Sequence, residues 1–308
     1  MTPLVAEPST SVGPDDVLDE AAEKLELVSH LADLERDGFT VVPPEKVASS
    51  GFRDLVHDRV LALHERLSRD PKRGPLLDRL EKFGAGRVMQ AALLEDEVFE
   101  TALLNPVVQT LARAMTGHAC RISAFDAVVK PPGGPALSLH CDTEMTEPFP
   151  TAAQVCNVTY ALSDYSPDLG STTFVPGSHR LQRQPRGEET NGIFCSTTFT
   201  GALRIPEPRA VTCRAGSLIA WSGLTWHGAV PRTREGERIS LIMYFCRWYL
   251  QPQQIYRNAP TTTLARTPPR FAQMLDVVPG WEVKNPLAER SRAASSRAIY
   301  PILDVDRP

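Results

Sequence analysis

From residue 120 onward the chain is written in short β-rich runs divided by turns, and this texture constrains the fold more than any other feature. The runs are RISAFDAVVK, LSLHCD, QVCNVTYAL, STTFVPGSH, SLIAWSG and RISLIMYF, with breakers such as PPGG between them. Close-set runs of this kind predict a sandwich or barrel of antiparallel strands. The first third has a different period. From Asp15 to Asp37 the chain is rich in Glu, Lys, Ala and Leu, with Leu27, Leu31 and Leu34 on one face and Gly38 placed to end a helix. FTVV then reads as a short strand. A second helix carries the stripe Phe52, Leu55, Val56, Val60, Leu63 and Leu67, and a third runs from a cap at Asn105, with Pro106 just inside, to Gly117 just past its end. The expected organisation is a disordered tail over residues 1–14 and one domain over 15–308. Within the domain, 15–118 is mostly helical, 119–250 forms the β core, and 251–308 is a covering segment with a short helix near Phe271 to Leu275.

Composition excludes several classes of function. The chain of 308 residues has a formal charge of −4 and scatters its Lys and Arg residues, so it presents no basic stripe for nucleic acid or an anionic membrane. Its longest apolar runs fall well short of the roughly 20 residues that a membrane helix needs. The six cysteines (120, 141, 156, 195, 213 and 246) form no CxxC pair, and the start shows no signal-peptide pattern. These features predict a soluble cytoplasmic protein with reduced thiols, a monomer or homodimer whose partner is a small molecule.

The chemistry centres on LSLHCDTEM, residues 137–145. Side chains at i and i+2 of a strand point the same way, so His140 and Asp142 face one interior and Cys141 the other. A histidine and a carboxylate hold a metal only loosely, and a third donor must come from another strand. His30, His57 and His64 sit on predicted helices, His118 lies at a helix-ending turn, and His179 closes the turn VPGSH, where its ring caps the turn. That leaves His227, delivered by GSLIAWSGLTW; on the residues alone a hydrogen-bonded core imidazole fits it equally well. Eleven residues later Arg238 opens RISLIMYF. Alternation sets Arg238, Ser240, Ile242 and Tyr244 on one face and the apolar Ile239, Leu241, Met243 and Phe245 on the other. An arginine inside or at the mouth of a cavity calls for an anion with two oxygens in fork geometry, whereas one at a strand end can also reach solvent or a surface carboxylate, and the residues alone allow both.

The order His140-x-Asp142, then DYSPDLGSTTFVPGSHR, then WHGAVPRTREGERIS resembles the phytanoyl-CoA dioxygenase family of iron(II) and 2-oxoglutarate dependent oxygenases. The resemblance implies a mainly β fold with flanking α, a double-stranded β-helix (jelly roll, cupin-like) with N-terminal helices packed on one sheet. It implies that His140, Asp142 and His227 hold iron(II), with three positions left for cosubstrate and O2, and that Arg238 grips the distal carboxylate of 2-oxoglutarate with Ser240 as a helper hydroxyl. In QVCNVTYAL the face of Cys156, Val158, Tyr160 and Leu162 is greasier, so Asn157 and Thr159 face either the lumen or, on an outer strand, solvent, and alternation alone fits both equally. Thr159, Thr172 and Asp126 match cosubstrate-contacting positions of the family, and Arg87 a basic residue that some members use. The chain departs from several relatives at Leu137, where they carry glutamine, and at Asp168-Leu169-Gly170, where many have Glu-Asn-Gly.

The implied reaction is oxidation of an unactivated C–H bond coupled to release of succinate and CO2. Because Asp142 keeps the carboxylate that related halogenases replace, hydroxylation, desaturation or rearrangement is expected in place of halogenation. Phe125, Met145, Phe149, Trp221, Trp226, Tyr244 and Trp248 suggest a mostly apolar substrate, as in secondary metabolism. Two other readings stay open on the sequence: a cupin-type isomerase or hydrolase that works without 2-oxoglutarate, and a jelly-roll binding module without catalysis.

Overall fold

In the computed structural model, which describes residues 14–191 and 206–277, the β-rich runs build two antiparallel sheets. The predicted N-terminal tail up to residue 13, Cys195 and the part of the covering segment from 278 lie outside the described residues. The strands are β1 (Phe39–Val42), β2 (Arg87–Met89), β3 (Arg121–Lys130), β4 (Leu137–His140), β5 (Val155–Ala161), β6 (Thr172–Phe174), β7 (Arg209–Ala210), β8 (Leu218–Ser222), β9 (His227–Ala229) and β10 (Arg238–Cys246). A six-stranded sheet runs β1-β8-β5-β10-β3-β2 and a four-stranded sheet β4-β9-β6-β7. Among the described residues no strand of one sheet pairs with the other, so this is an open jelly-roll sandwich and not a closed barrel.

The helices are α1 (Pro14–Lys24), α2 (Val28–Asp37), α3 (Pro44–Val47), α4 (Ser50–Ser68), α5 (Gly74–Leu77), α6 (Glu97–Leu103), α7 (Pro106–Thr116), α8 (Thr261–Arg266) and α9 (Pro269–Met274). The six-stranded sheet has one apolar face, and that face carries the main core. Ile239, Leu241, Met243 and Phe245 of β10 and Cys156, Val158 and Tyr160 of β5 pack there with Val56, Val60 and Leu63 of α4 and Leu111 of α7. Burying each such side chain stabilises the fold by about 2 kcal/mol. Alternation leaves the opposite face, with Ser240, Ile242, Asn157 and Thr159, turned toward the smaller sheet. Tyr256, Phe271 and Met274, from α9 and the segment before α8, join the same core. No helix among the described residues is long and apolar enough to cross a membrane, and the five described cysteines are free thiols.

Two local expectations are corrected. The helix expected to run unbroken from Asp15 to Asp37 is broken at Leu25–Leu27, where Glu26 takes φ 54° and Leu27 becomes fully buried. Lys46 Nζ donates to Glu26 O at 2.7 Å, so a contact from distant sequence holds the break open. The ring of His179 does not cap its own turn. Its Nε2 lies 3.2 Å from Glu35 O, while Arg180 donates to Glu35 O and Arg36 O and Gly177 N donates to Asp37 O. The PGSHR turn therefore satisfies the last carbonyls of α2, where helix-end acceptors otherwise lack partners.

Gly38 ends α2 as expected, with φ 84° and its N–H donating to Leu34 O. A Cβ there would lie 2.4 Å from Thr225 Oγ1 and 2.6 Å from His179 Nδ1. Thr225 Oγ1 also donates to Gly38 O at 2.8 Å, which ties the helix end to the approach of β9. Gly38→Ala is expected to cost about 3 kcal/mol from left-handed strain and overpacking, read as a lower urea midpoint with an unchanged slope.

Candidate metal centre

β4 and β9 pair antiparallel so that His140 stands directly opposite His227, their ring centroids 4.3 Å apart. Each imidazole is fixed in the same way. His140 Nδ1 lies 2.9 Å from Ser138 O and His227 Nδ1 lies 3.0 Å from Thr225 O, so the backbone two residues earlier holds one nitrogen and Nε2 is left to ligate. Asp142 follows β4 and reaches both: Oδ1 lies 3.9 Å from His140 Nε2, and Oδ2 lies 3.6 Å from His227 Nε2. The three ligand atoms lie within 4.8 Å of one another. Burial pushes His227 down to about 4, opposed by the nearby Asp142 carboxylate, so its ring is neutral and competent as a ligand at ordinary pH. Two imidazoles and one carboxylate on one side of a point suit a first-row divalent ion such as iron(II).

The carboxylate is itself held. Asn157 Nδ2 donates to Asp142 Oδ2 at 2.8 Å, Trp221 Nε1 donates to the same oxygen at 3.1 Å, and Tyr244 Oη donates to Asp142 O at 3.0 Å. These three come from neighbouring strands of the large sheet, with Asn157 paired across from both Trp221 and Tyr244. Trp221 and Tyr244 carried only a substrate-lining expectation, and Asn157 only a cosubstrate one. Their hydrogen bonds orient the metal ligand, a role that long-range pairing alone reveals.

At the other end of the same face lies Arg238, 5% exposed. Its Nη1 donates to Gly170 O, its Cζ sits 5.2 Å from the centroid of the Tyr165 ring, and its Nε is buried without a partner. Gly170 is glycine for a reason: it takes φ 77°, and a Cβ would come within 2.9 Å of Arg232 Cβ. Among the described residues no carboxylate pairs with Arg238. Between the arginine and the triad, Ser240 Oγ, Thr159 Oγ1 and Asn157 Oδ1 are also buried without partners. Unpaired buried polar atoms each cost about 1–3 kcal/mol, and these four lie on the face that joins the triad to the guanidinium. They fit a small polyoxygenated anion lying along that face.

The other expected site residues divide. Thr172 pairs with Ala229, two positions from the pair Phe174–His227, and so shares the triad's face. Asp126 lies on the lumenal face opposite Ile242, but its Oδ1 is taken by Ala91 N–H and the Gln254 amide, and burial raises its pKa. Arg87 is not brought to the site. It pairs with Val129, whose side chain lies in the helix-side core, and its Nε bonds Asp78 Oδ1 at 3.0 Å. Of the apolar candidates, Phe125 belongs to the main core, and Phe149 and Trp226 pack with Leu139, Cys141 and Leu224 in a separate cluster. Trp248 packs edge-on against Tyr249. Only Trp221, Tyr244 and Met145 adjoin Asp142. Tyr244 and Met145 line a pocket of about 160 Å³ beside it together with Ser123, Glu144, Gln154 and Val155.

Comparison with known proteins agrees with this arrangement. An uncharacterised protein of Mycobacterium tuberculosis is 23% identical over 287 residues, covering 91% of each chain. The dioxygenase cdmA of Talaromyces verruculosus is 25% identical over 156 residues, 49% of this chain and 46% of its own length. Among solved structures, the epimerase SnoN in complex with Fe3+, alpha-ketoglutarate and nogalamycin RO is similar at 25% identity and a TM-score of 0.54, covering 76% of this chain and 88% of that one. The model of the phytanoyl-CoA dioxygenase family matches residues 34–240, a stretch that contains the His140–Asp142–His227 triad and Arg238, and the chain belongs to that family.

Proposed function

We propose that the protein is an iron(II) and 2-oxoglutarate dependent oxygenase that oxidises a C–H bond of a small molecule in the cytoplasm. The observation that carries the reading is the row of unpartnered polar atoms (Asn157 Oδ1, Thr159 Oγ1, Ser240 Oγ and Arg238 Nε) running from the triad to a buried guanidinium. A 2-oxoglutarate-independent metalloenzyme has no use for a buried arginine lacking a carboxylate partner, and a binding module has no need of three oriented ligands. Iron(II) with 2-oxoglutarate supplies an oxidant able to remove hydrogen from an unactivated C–H bond, with release of succinate and CO2.

The chain's own groups do the positioning. His140 and His227 present Nε2 because their Nδ1 atoms are committed to backbone carbonyls. Asp142 presents Oδ1, since Oδ2 accepts from Asn157 and Trp221. Arg238 offers a charge-assisted fork to the distal carboxylate, with Ser240 and Thr159 hydroxyls beside the chain of the acid. The retained Asp142 fills the ligand position that halogenation requires open, which favours hydroxylation, desaturation or rearrangement.

The pocket beside Asp142 refines the substrate. Met145, Val155 and Tyr244 share it with Ser123, Glu144 and Gln154, so its lining is mixed and not mostly apolar. It suits a small molecule that carries hydroxyl or amine groups on a hydrocarbon frame, as in secondary metabolism. SnoN, solved with nogalamycin RO, and cdmA, a dioxygenase, are relatives consistent with that setting.

Anaerobic addition of iron(II) and 2-oxoglutarate to the apoprotein is expected to give the weak visible charge-transfer band of a chelated keto acid; a colourless mixture rejects the reading. Arg238→Ala should weaken 2-oxoglutarate binding about 100-fold while leaving iron affinity unchanged, as expected when one partner of a buried charge pair is removed. Asn157→Ala should instead weaken metal binding about 10-fold, by calorimetric titration of iron(II), because it frees the Asp142 carboxylate to turn. A loss confined to 2-oxoglutarate affinity would make Asn157 a cosubstrate contact alone.

A further inference from the structure

Lys130 is the last residue of β3 and is 1% exposed. Across the β3–β10 ladder it stands directly opposite Arg238, so both side chains enter the lumen from the same end. Lys130 Nζ donates to Val230 O at 3.1 Å, and Arg238 donates to Gly170 O. Val230 N in turn donates to Ser171 O at 3.1 Å, so the two acceptor carbonyls belong to adjoining stretches of the smaller sheet. Two buried basic side chains thus reach from one sheet to the other at the same end of the sandwich. Among the described residues neither has a carboxylate partner.

The remaining charges nearby do not neutralise them. Arg232, beyond β9, spends its guanidinium on the carbonyls of Leu169, Glu235 and Gly236. Asp126 lies four residues back on β3 and is committed to Ala91 and Gln254. Glu237 is exposed on the turn before β10. On the β2 side Gly86 offers only backbone, Arg87 faces away toward Asp78, and His64 belongs to α4 in the helix layer. Burial, aided by the charge of Arg238, pulls the Lys130 ammonium down to about 7. A buried pair of like charges is costly unless an anion sits between them.

We propose that Lys130 is a second cationic contact of the distal carboxylate pocket, so that the acid's far end lies between the Lys130 ammonium and the Arg238 guanidinium and its binding draws a proton onto Lys130. The inference rests on the 2-oxoglutarate reading above. The sign follows from linkage: an anion raises the pKa of the lysine it contacts, so affinity is greatest where Lys130 is already protonated and falls as pH rises through its free value.

The test is calorimetric titration of manganese(II)-loaded protein with 2-oxoglutarate, and with 2-oxobutyrate, which shares the keto acid but lacks the distal carboxylate. For the natural protein, 2-oxoglutarate affinity should fall about tenfold from about pH 6 to about pH 8.5, while 2-oxobutyrate affinity stays flat. Lys130→Met should bind 2-oxoglutarate about tenfold more weakly at the acid end, show no slope, and bind 2-oxobutyrate unchanged. Titrations of the unaltered protein near pH 8 in buffers of different ionisation heat should show uptake of up to about one proton with 2-oxoglutarate. A Lys130→Met protein with the natural affinity and slope, or no proton uptake by the natural protein, overturns the role of Lys130. If the natural protein binds both acids equally, the 2-oxoglutarate reading itself fails.

Discussion

The cross-strand pairing of His140 with His227 is the constraint on which the candidate site depends. Strands β4 and β9 are four and three residues long, and their register shifts between Leu137 and His140. So short a ladder fixes two imidazoles only if both strands are anchored elsewhere. For β9 the anchor is visible. Thr225 bonds Gly38 at the end of α2, the PGSHR turn bonds the last carbonyls of that helix, and Ser178 Oγ accepts from Trp226 N at 2.8 Å. For β4, Cys141 N donates to Gln184 Oε1, and Gln184 Nε2 returns bonds to Cys141 O and Thr143 O. The metal geometry is thereby transmitted from the helical layer and the long loop after β6, not stored in the small sheet alone.

The large sheet divides its labour by face. Its helix side is apolar and closely packed, which supplies the stability. Its lumenal side accumulates what a fold ordinarily avoids: Thr159, Ser240 and Asn157 with unpartnered atoms, and Lys130 and Arg238 as neighbouring cations. Sites of function are where local rules of satisfaction are broken, and the breach is tolerable because the opposite face of the same strands is so well buried.

Much of this was legible because it is local. Alternation along RISLIMYF and QVCNVTYAL divided Arg238 to Phe245 of β10 and Cys156 to Tyr160 of β5 between opposite faces, and the apolar set of each lies in the helix-side core. Gly38, Asn105, Pro106 and Gly117 marked helix ends through backbone chemistry confined to a few residues. What escaped was set by distant partners. The face of Arg87 depends on how a three-residue strand meets β3, which three residues cannot encode. The break at Leu25–Leu27 follows from burial of Leu27 and a bond from Lys46. Asn157, Trp221 and Tyr244 converge on Asp142 only once four strands and a loop are assembled. Lys130, beside PPGG, looks like the entry to a surface turn until its partner Arg238 is known.

The register of β5 and β10 also sets a length. Asn157 pairs with Tyr244 at the metal end and Ala161 with Ser240 toward the cationic end, so the two rows lie four residues apart, about 13 Å along the strands. Both ends are fixed by backbone ladders, and the middle row, Thr159 beside Ile242 and Ile219, cannot slide relative to either. Asp142 reaches in at the metal end, and Arg238 and Lys130 stand opposite each other at the far end. The register therefore sets the separation between the triad and the two cations. On the proposed reading, an acid without a distal carboxylate would leave the two cations unpaired. Selection among keto acids then follows from strand register, before any contact specific to one of them is counted.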